Sequence, residues 1–246
     1  MPWRVNRTPY RVFVSEIMLQ QTSVARVTPK YGEFLRAFPS FRKLASANVQ
    51  EVITAWKGLG YNRRALALRE SARQITADHH GRLPRSVDEL VRLPGVGRAT
   101  ASAVIVYAFD EPCVFTETNI RRVFLHHFFP DQGNVPDSRI VPLVEETLDR
   151  ERPREWYYAL MDYGTALAAG RQNPNLRSSG YKVQSRFEGS MRQLRGRILS
   201  ALMERQDVTA RQIVSRLGAD ARLREALSQL VAEGFLRVRG GRYSFR

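Results

Sequence analysis

Apolar residues recur at helical spacing along most of this chain. Thr8 as an N-cap and Pro9 in the first turn open a helix. In it Tyr10, Phe13, Val14, Ile17 and Met18 fall at i, i+3, i+4, i+7 and i+8, one buried face with Glu16 near its edge. The residues before Thr8 read as an irregular lead-in. Further helical stretches run from about Thr28 to Phe38, stopped by Pro39, and from Phe41 to Ala47. Another starts near Asn48 and turns Val52, Ile53 and Trp56 inward. Gly58-Leu59-Gly60-Tyr61 breaks the rhythm ahead of a basic helix from Arg63 to about His79. That helix is predicted to bury Ala65, Leu68, Ala72 and Ile75 and to expose Arg63, Arg64, Arg69 and Arg73. His79 and His80 fall where it ends, a place that suits partial positive charge, and read as a cap or surface pair rather than metal ligands.

The stretch Leu93-Pro94-Gly95-Val96-Gly97 lies between two apolar rhythms, one through Val87, Leu90, Val91 and Leu93, the other through Ala101, Val104, Ile105 and Ala108. Glycines at the bend permit left-handed angles and a close partner. The second helix then presents unpaired N–H groups and its positive dipole end through Gly97, Arg98 and Thr100, which suits a phosphate. This is the layout of a helix-hairpin-helix, although a generic helical turn uses the same residues. Beyond it, Asp110-Glu111-Pro112 turns the chain into the apolar Cys113-Val114-Phe115. Thr116 or Thr118 then caps a helix with Ile120, Val123 and Phe124 inward. Glu117 near its start favours the dipole, and Arg121 and Arg122 point to solvent or phosphate. Two more helices cover about Ser138 to Asp149 and Pro153 to Leu167.

From Ala168 to Gly189 the chain is rich in Arg, Asn, Ser and Gly and loses its periodicity, which reads as a loop or linker. The tail regains it. Met191, Leu194, Ile198, Leu199 and Leu202 form one amphipathic helix; Thr209-Ala210-Arg211-Gln212 is a capping box opening a second. Asp220 caps a third, carrying Leu223, Leu227, Leu230 and Val231 and stopping at Gly234. Phe235 to Val238, a Gly240-Gly241 turn and Tyr243-Ser244-Phe245 make a hairpin. Three helices and a hairpin spell a small α+β winged helix, a module that contacts either DNA or protein. Arg222, Arg224, Arg237, Arg239 and Arg242 are compatible with DNA. The predicted organisation is therefore an all-α domain over 1–170, a linker over 171–189 and the winged helix over 190–246.

Composition narrows the partner. Among 246 residues, 39 Lys and Arg against 24 Asp and Glu leave a formal net charge of +15, which favours a polyanion. No apolar run is long enough to span a bilayer and no signal peptide opens the chain, so no membrane partner is expected. Cys113 is the one cysteine, which excludes an internal disulfide and any multi-cysteine metal site. An intracellular protein, cytoplasmic or at the nucleoid, is expected.

Several motifs then combine. Pro2-Trp3-Arg4, Thr8-Pro9-Tyr10, the run from Ser15 to Thr22, Gly58-Leu59-Gly60-Tyr61, Leu93 to Gly97, Asn119 with Arg121-Arg122-Val123, and Met161-Asp162-Tyr163-Gly164 are weak singly and strong in this order. Through them residues 2 to about 164 resemble the helix-hairpin-helix DNA glycosylase superfamily, and within it the MutY-type adenine DNA glycosylases. Glu16-Ile17-Met18-Leu19-Gln20-Gln21-Thr22 favours that branch over endonuclease III. The family breaks an N-glycosidic bond through an oxocarbenium-like sugar, using an acid for the departing base and a negative charge for the sugar. The base is first flipped from the stack. The resemblance implies that Glu16 is the acid, its pKa raised by burial, and that Glu117 stabilises the sugar cation. It also implies DNA contacts by Gln20, Gln21, Tyr61, Gly95, Val96, Gly97, Arg98, Thr100, Arg121 and Arg122, with Gln21 and Tyr61 entering the duplex at the lesion.

The chain departs from that family at four places. Glu117 stands where the family has aspartate. Ala168, Leu176, Ser179 and Gln184 lie at or near the positions of four cysteines that hold an iron–sulfur cluster, so no cofactor is expected. Ala99 replaces the lysine of bifunctional relatives, which implies a monofunctional enzyme without efficient strand cleavage. A winged helix stands in place of the domain that inspects 8-oxoguanine. The expected activity is removal of a mispaired base, adenine opposite guanine or 8-oxoguanine, in double-stranded DNA by a monomer. Two alternatives stay open: a thymine or uracil mismatch glycosylase, and a catalytically weak protein that binds damaged or branched DNA.

Overall fold

The computed structural model describes residues 1–170 and 173–246; residues 171 and 172, which open the predicted linker, lie outside the described residues. The first domain is built from α1 (Pro2–Val5), α2 (Pro9–Leu19), α3 (Val24–Ala37), α4 (Phe41–Ser46), α5 (Val49–Ala55), α6 (Arg63–Asp78), α7 (Val87–Leu90), α8 (Arg98–Val104), α9 (Thr118–Phe128), α10 (Asp137–Thr147) and α11 (Pro153–Ala168). Local chemistry sets several of the starts. Thr8 Oγ1 accepts from Arg11 N at 3.4 Å, and Asn48 and Glu51 exchange the reciprocal bonds of a capping box at 2.9 and 2.7 Å.

Two hydrophobic cores meet at α2. Phe13, Ile17 and Met18 join Phe34, Leu44, Ile53 and Trp56 in the larger one. Val12 turns the other way, into a core with Val106, Tyr107, Phe115, Phe124 and Tyr157. Glu16, one turn after Val12, shares its side of the helix and so lies where the two cores face each other.

The C-terminal part folds as α12 (Met191–Glu204), β1 (Val208–Thr209), α13 (Ala210–Leu217), α14 (Leu223–Ala232), β2 (Leu236–Arg239) and β3 (Arg242–Phe245), with the antiparallel strands in the order β1-β3-β2. Thr209 and Gln212 form the predicted capping box. Leu194, Ile198, Leu227 and Phe235 continue the larger core. Glu233, at the end of α14, is gripped by Arg195 of α12 and Arg63 of α6, which pull its carboxyl down to about 2 against the effect of burial. The C-terminal part is thus fastened to α6 through the far end of α14.

Several expectations are corrected. The lead-in contains the one-turn α1, started by Pro2. Helix α3 begins four residues early, after Ser23, and carries Pro29 inside it. Asp220 does not cap α14; its carboxylate holds Arg222 N at 2.9 Å and the Arg222 guanidinium at 2.7 Å. The rhythm after the hairpin is not one α-helix: at Ile105 it widens into a π-turn, Ile105–Phe109, closed by Asp110 at φ 60°. The predicted linker is partly ordered, with a 3-10 turn at Pro174–Arg177 and a parallel bridge between Val135 and Ser178.

Candidate active site

Glu16 is surrounded by protein yet half-buried, so solvent still reaches it. Burial, and then the neighbouring Glu117 carboxyl, push it up to about 8. Glu117 comes to the same place from the start of α9. It is the N-cap itself, in place of Thr116 or Thr118: its Oε1 accepts from Asn119 N at 2.6 Å and Ile120 N at 3.0 Å. Burial raises it as well, but those two N–H groups and the charges of Arg121 and Arg122 pull the other way. Burial outweighs those pulls, so both carboxyls sit above their ordinary value. They differ in that Glu16 feels only burial and a like charge and keeps a proton at neutral pH, while Glu117 also has two N–H donors and two arginines that favour its anion. That is the division of labour of an acid and a charge stabiliser.

Aromatic and basic groups close this corner. Tyr107 is buried beside both carboxyls, and its hydroxyl has no hydrogen-bond partner. Its ring lies on Tyr158 at 4.9 Å and 7°. Arg4 sits over the Tyr158 ring at 4.2 Å and holds Asp162 with two bonds of 2.8 and 2.9 Å. Sequence reasoning missed Tyr107 and Tyr158, because an aromatic at helical spacing reads as core.

The hairpin flanks this corner. Gly95 takes φ +75°, and a Cβ there would meet the Ala67 Cβ at 2.8 Å, so turn and packing both require glycine. Gly97 caps α8 at φ −84° and needs no such freedom. Val96 is buried and anchors the turn, while Gly95, Gly97, Arg98 and Ala99 are exposed. Gln20 does not face outward; its amide bridges Gly95 O and Thr100 Oγ1, both at 3.1 Å, and ties the end of α2 to the hairpin.

Arg64, expected on the outer face of α6, is buried. Its guanidinium donates to the carbonyls of Ile17, Met18 and Gln20 at 2.9, 2.7 and 2.6 Å and to Thr22 Oγ1 at 2.8 Å. A cation at the C-terminus of α2 satisfies its orphan carbonyls. Just beyond it Gln21 (φ 54°) and Tyr61 (φ 46°) take left-handed conformations and line one cleft. Gln184 donates to Gln21 Oε1 at 2.8 Å and Arg192 to the Tyr61 hydroxyl at 2.7 Å, so the linker and α12 touch both. A cleft of about 1280 Å³ runs here between these turns and α12.

Arg121 and Arg122 do not point outward either. Arg121 is paired with Asp137 at 2.7 and 2.6 Å. Arg122 is buried against Asn119 Oδ1 and Gly164 O at 2.7 and 2.6 Å. Gly164 is required at that contact, since a Cβ would meet the Asn119 carbonyl oxygen at 2.4 Å.

Comparison with known proteins agrees with this geometry. Residues 14–140 match the HhH-GPD superfamily base excision DNA repair proteins. The adenine DNA glycosylase of Mycobacterium tuberculosis is 33% identical over 271 residues, covering 99% of this chain and 88% of that protein. The chain belongs to the HhH-GPD superfamily and, within it, to the adenine DNA glycosylases. The Buchnera aphidicola adenine DNA glycosylase is 32% identical over 178 residues, and the chain spans 50% of its length. Among solved structures, a thermostable thymine-DNA glycosylase superposes with a TM-score of 0.62 at 27% identity, over 71% of this chain and 82% of that one.

The glycosylase resemblance also implies an iron–sulfur cluster after α11, and the residues present do not fit one. Leu176 is exposed, and the backbone N–H of Ser179 is used on Val135 O at 3.0 Å. Cys113 lies elsewhere, its carbonyl accepting from the Tyr157 hydroxyl at 3.0 Å. Among the described residues no group of three or more His, Cys, Asp or Glu could hold a metal ion. No helix among the described residues is long and apolar enough to cross a membrane.

Proposed function

We propose that this chain is a monofunctional adenine DNA glycosylase that hydrolyses the N-glycosidic bond of an adenine mispaired with guanine or 8-oxoguanine. The observation that carries this reading is the Glu16–Glu117 pair in one solvent-reached corner, with Glu16 raised to about 8 and therefore protonated at neutral pH. The exposed N–H groups of the hairpin hold a phosphate of the damaged strand. Gln21 and Tyr61 fill the duplex where the base leaves, exchanging their contacts with Gln184 and Arg192 for the DNA. Glu16 then gives its proton to the flipped adenine, whose ring takes the electron pair of the breaking bond. The sugar cation left behind faces the Glu117 carboxylate. Water adds to the sugar carbon and returns a proton to Glu16, closing the cycle.

Ala99 offers no amine to form a Schiff base, which supports hydrolysis without strand cleavage. No cofactor takes part in this scheme. The protein acts inside the cell, as a monomer on double-stranded DNA. A second reading, thymine opposite guanine, is favoured by the thymine-DNA glycosylase superposition. Single-turnover assays on duplexes with A opposite 8-oxoguanine, A opposite G, T opposite G and U opposite G, treated with alkali to reveal abasic sites, separate the two. Cleavage confined to the adenine duplexes supports the first reading; cleavage confined to T opposite G supports the second. Tight binding with no cleavage leaves a DNA-binding protein.

A further inference from the structure

We propose that the Tyr107 hydroxyl is an idle hydrogen-bond donor held for Glu16, engaged directly or through one water when that carboxyl gives up its proton. The inference rests on the hydrolytic reading above and adds a positioning residue to it. Three observations converge. The hydroxyl is buried and no backbone or side-chain group of the protein accepts from or donates to it, although an unsatisfied buried polar atom is costly. Second, the phenol is held well above its ordinary value by burial and by Glu16 and Glu117 in turn, so it stays protonated and can donate.

Third, α11 fixes Tyr107 by ring and by backbone. Tyr158 stacks on the ring, and one turn earlier Arg154 Nε donates to Tyr107 O at 3.0 Å while its Nη1 pairs with Asp110 at 2.9 Å. The π-turn that carries Tyr107 is therefore pinned in the middle and at its end. π-turns inside helices are found frequently at functional sites. A donor that no protein group uses, near a carboxyl that develops charge, stabilises the transition state selectively.

The charged and titratable groups around this corner come from every element packed against it. They are Arg4 and Arg7 at the N-terminus, Glu16 itself on α2, Tyr31 on α3, Asp110 after the π-turn, Glu117, Arg121 and Arg122 at α9, and Arg154 and Tyr158 on α11. Of these, Glu16, Glu117 and Tyr158 act to raise the Tyr107 phenol further, and Arg4 acts to lower it.

The test measures single-turnover base release against pH for the wild type and Tyr107→Phe, with melting temperature and lesion-duplex affinity beside it. Tyr107→Phe keeps the ring and its stacking. The expected result is a rate about ten- to a hundredfold lower, with duplex affinity unchanged and melting temperature unchanged or higher. The alkaline limb, where Glu16 loses its proton, is expected to move to higher pH, because the anion has lost a donor. Site-specific 3-fluorotyrosine at 107, a stronger donor of nearly the same size, is expected to move that limb the opposite way. If the wild type releases base while Tyr107→Phe keeps both its rate and its pH limb, the inference is wrong and the glycosylase reading stands. If the wild type releases base from no duplex, both fall together.

Discussion

Replacing Glu16 by Gln separates catalysis from stability in one protein. The carboxyl is raised from 4.5 to about 8 in the folded state, so at pH 7 about nine-tenths of folded molecules carry its proton. The unfolded chain has released it. Because the folded value lies above the unfolded one, the contribution to stability is complete below about pH 4.5 and is lost as pH rises through about 8. Integrated to pH 7, the loss is about 3 kcal/mol. Glutamine has nothing to titrate. Glu16→Gln is therefore expected to be more stable than the wild type at neutral pH by up to about 3 kcal/mol. The gain is expected to vanish near pH 4.5 and to level off above pH 8.

Base release is expected to fall in the same variant by about a hundredfold to ten-thousandfold, the usual worth of a general acid. Duplex affinity should stay within about tenfold, since the acid acts on the transition state. Urea unfolding at pH 5, 7 and 8.5 and single-turnover kinetics read the two effects independently. A variant no more stable at pH 8.5 than at pH 5, relative to wild type, refutes the buried acid. A variant that still releases base at the wild-type rate refutes its role.

Other perturbations read the supports of the site. Glu117→Asp shortens the carboxylate by one methylene while keeping an N-cap acceptor for α9, so single-turnover base release is expected to be retained or raised; its elimination means that the assumed register is wrong. Arg64→Met strips the donor from the Ile17, Met18 and Gln20 carbonyls, and urea unfolding is expected to show a loss of about 3 kcal/mol. Lesion-duplex affinity should fall with it, because Gln21 and Tyr61 lie on the turns that Arg64 ties together.

Elements whose causes are local were legible in the chain. Thr8, Asn48 with Glu51, and Thr209 with Gln212 carry their caps within four residues, and the apolar stripes of α2, α6 and α12 follow helical spacing. Glu16 was legible because its surrounding run is so particular. What was not legible depends on pairings distant in sequence. Nothing near Arg64 announces that its guanidinium reaches Ile17 across 47 positions, so a charged residue on a basic helix reads as solvated. Arg122 misleads for the same reason, since its acceptor is Gly164 O, 42 positions on. Arg154 meets the π-turn at Tyr107 O and Asp110, and without sight of that contact Tyr107 reads as one more core aromatic.

The segment after α11 shows how α9 is held where relatives are expected to use a metal cluster. Asn175, buried in the 3-10 turn, donates to Thr118 O at 3.0 Å, the residue next to Glu117. Arg177 reaches the other end of α9, donating to Phe129 O at 3.1 Å and to Pro130 O, where a cation also meets the negative end of the helix dipole. One short turn thus grips the helix that positions Glu117 at both of its ends. Arg177→Met removes the C-terminal grip and leaves Asn175 in place. Its expected cost is about 2 kcal/mol in urea unfolding, with base release lowered less than about tenfold because Glu117 keeps its own cap. The wild type should contain no iron by elemental analysis, and a chelator should leave its melting temperature unchanged. A melting temperature that drops on chelation would show that something other than this turn holds α9, and an Arg177→Met protein as stable as the wild type would show that the grip at the C-terminal end contributes nothing.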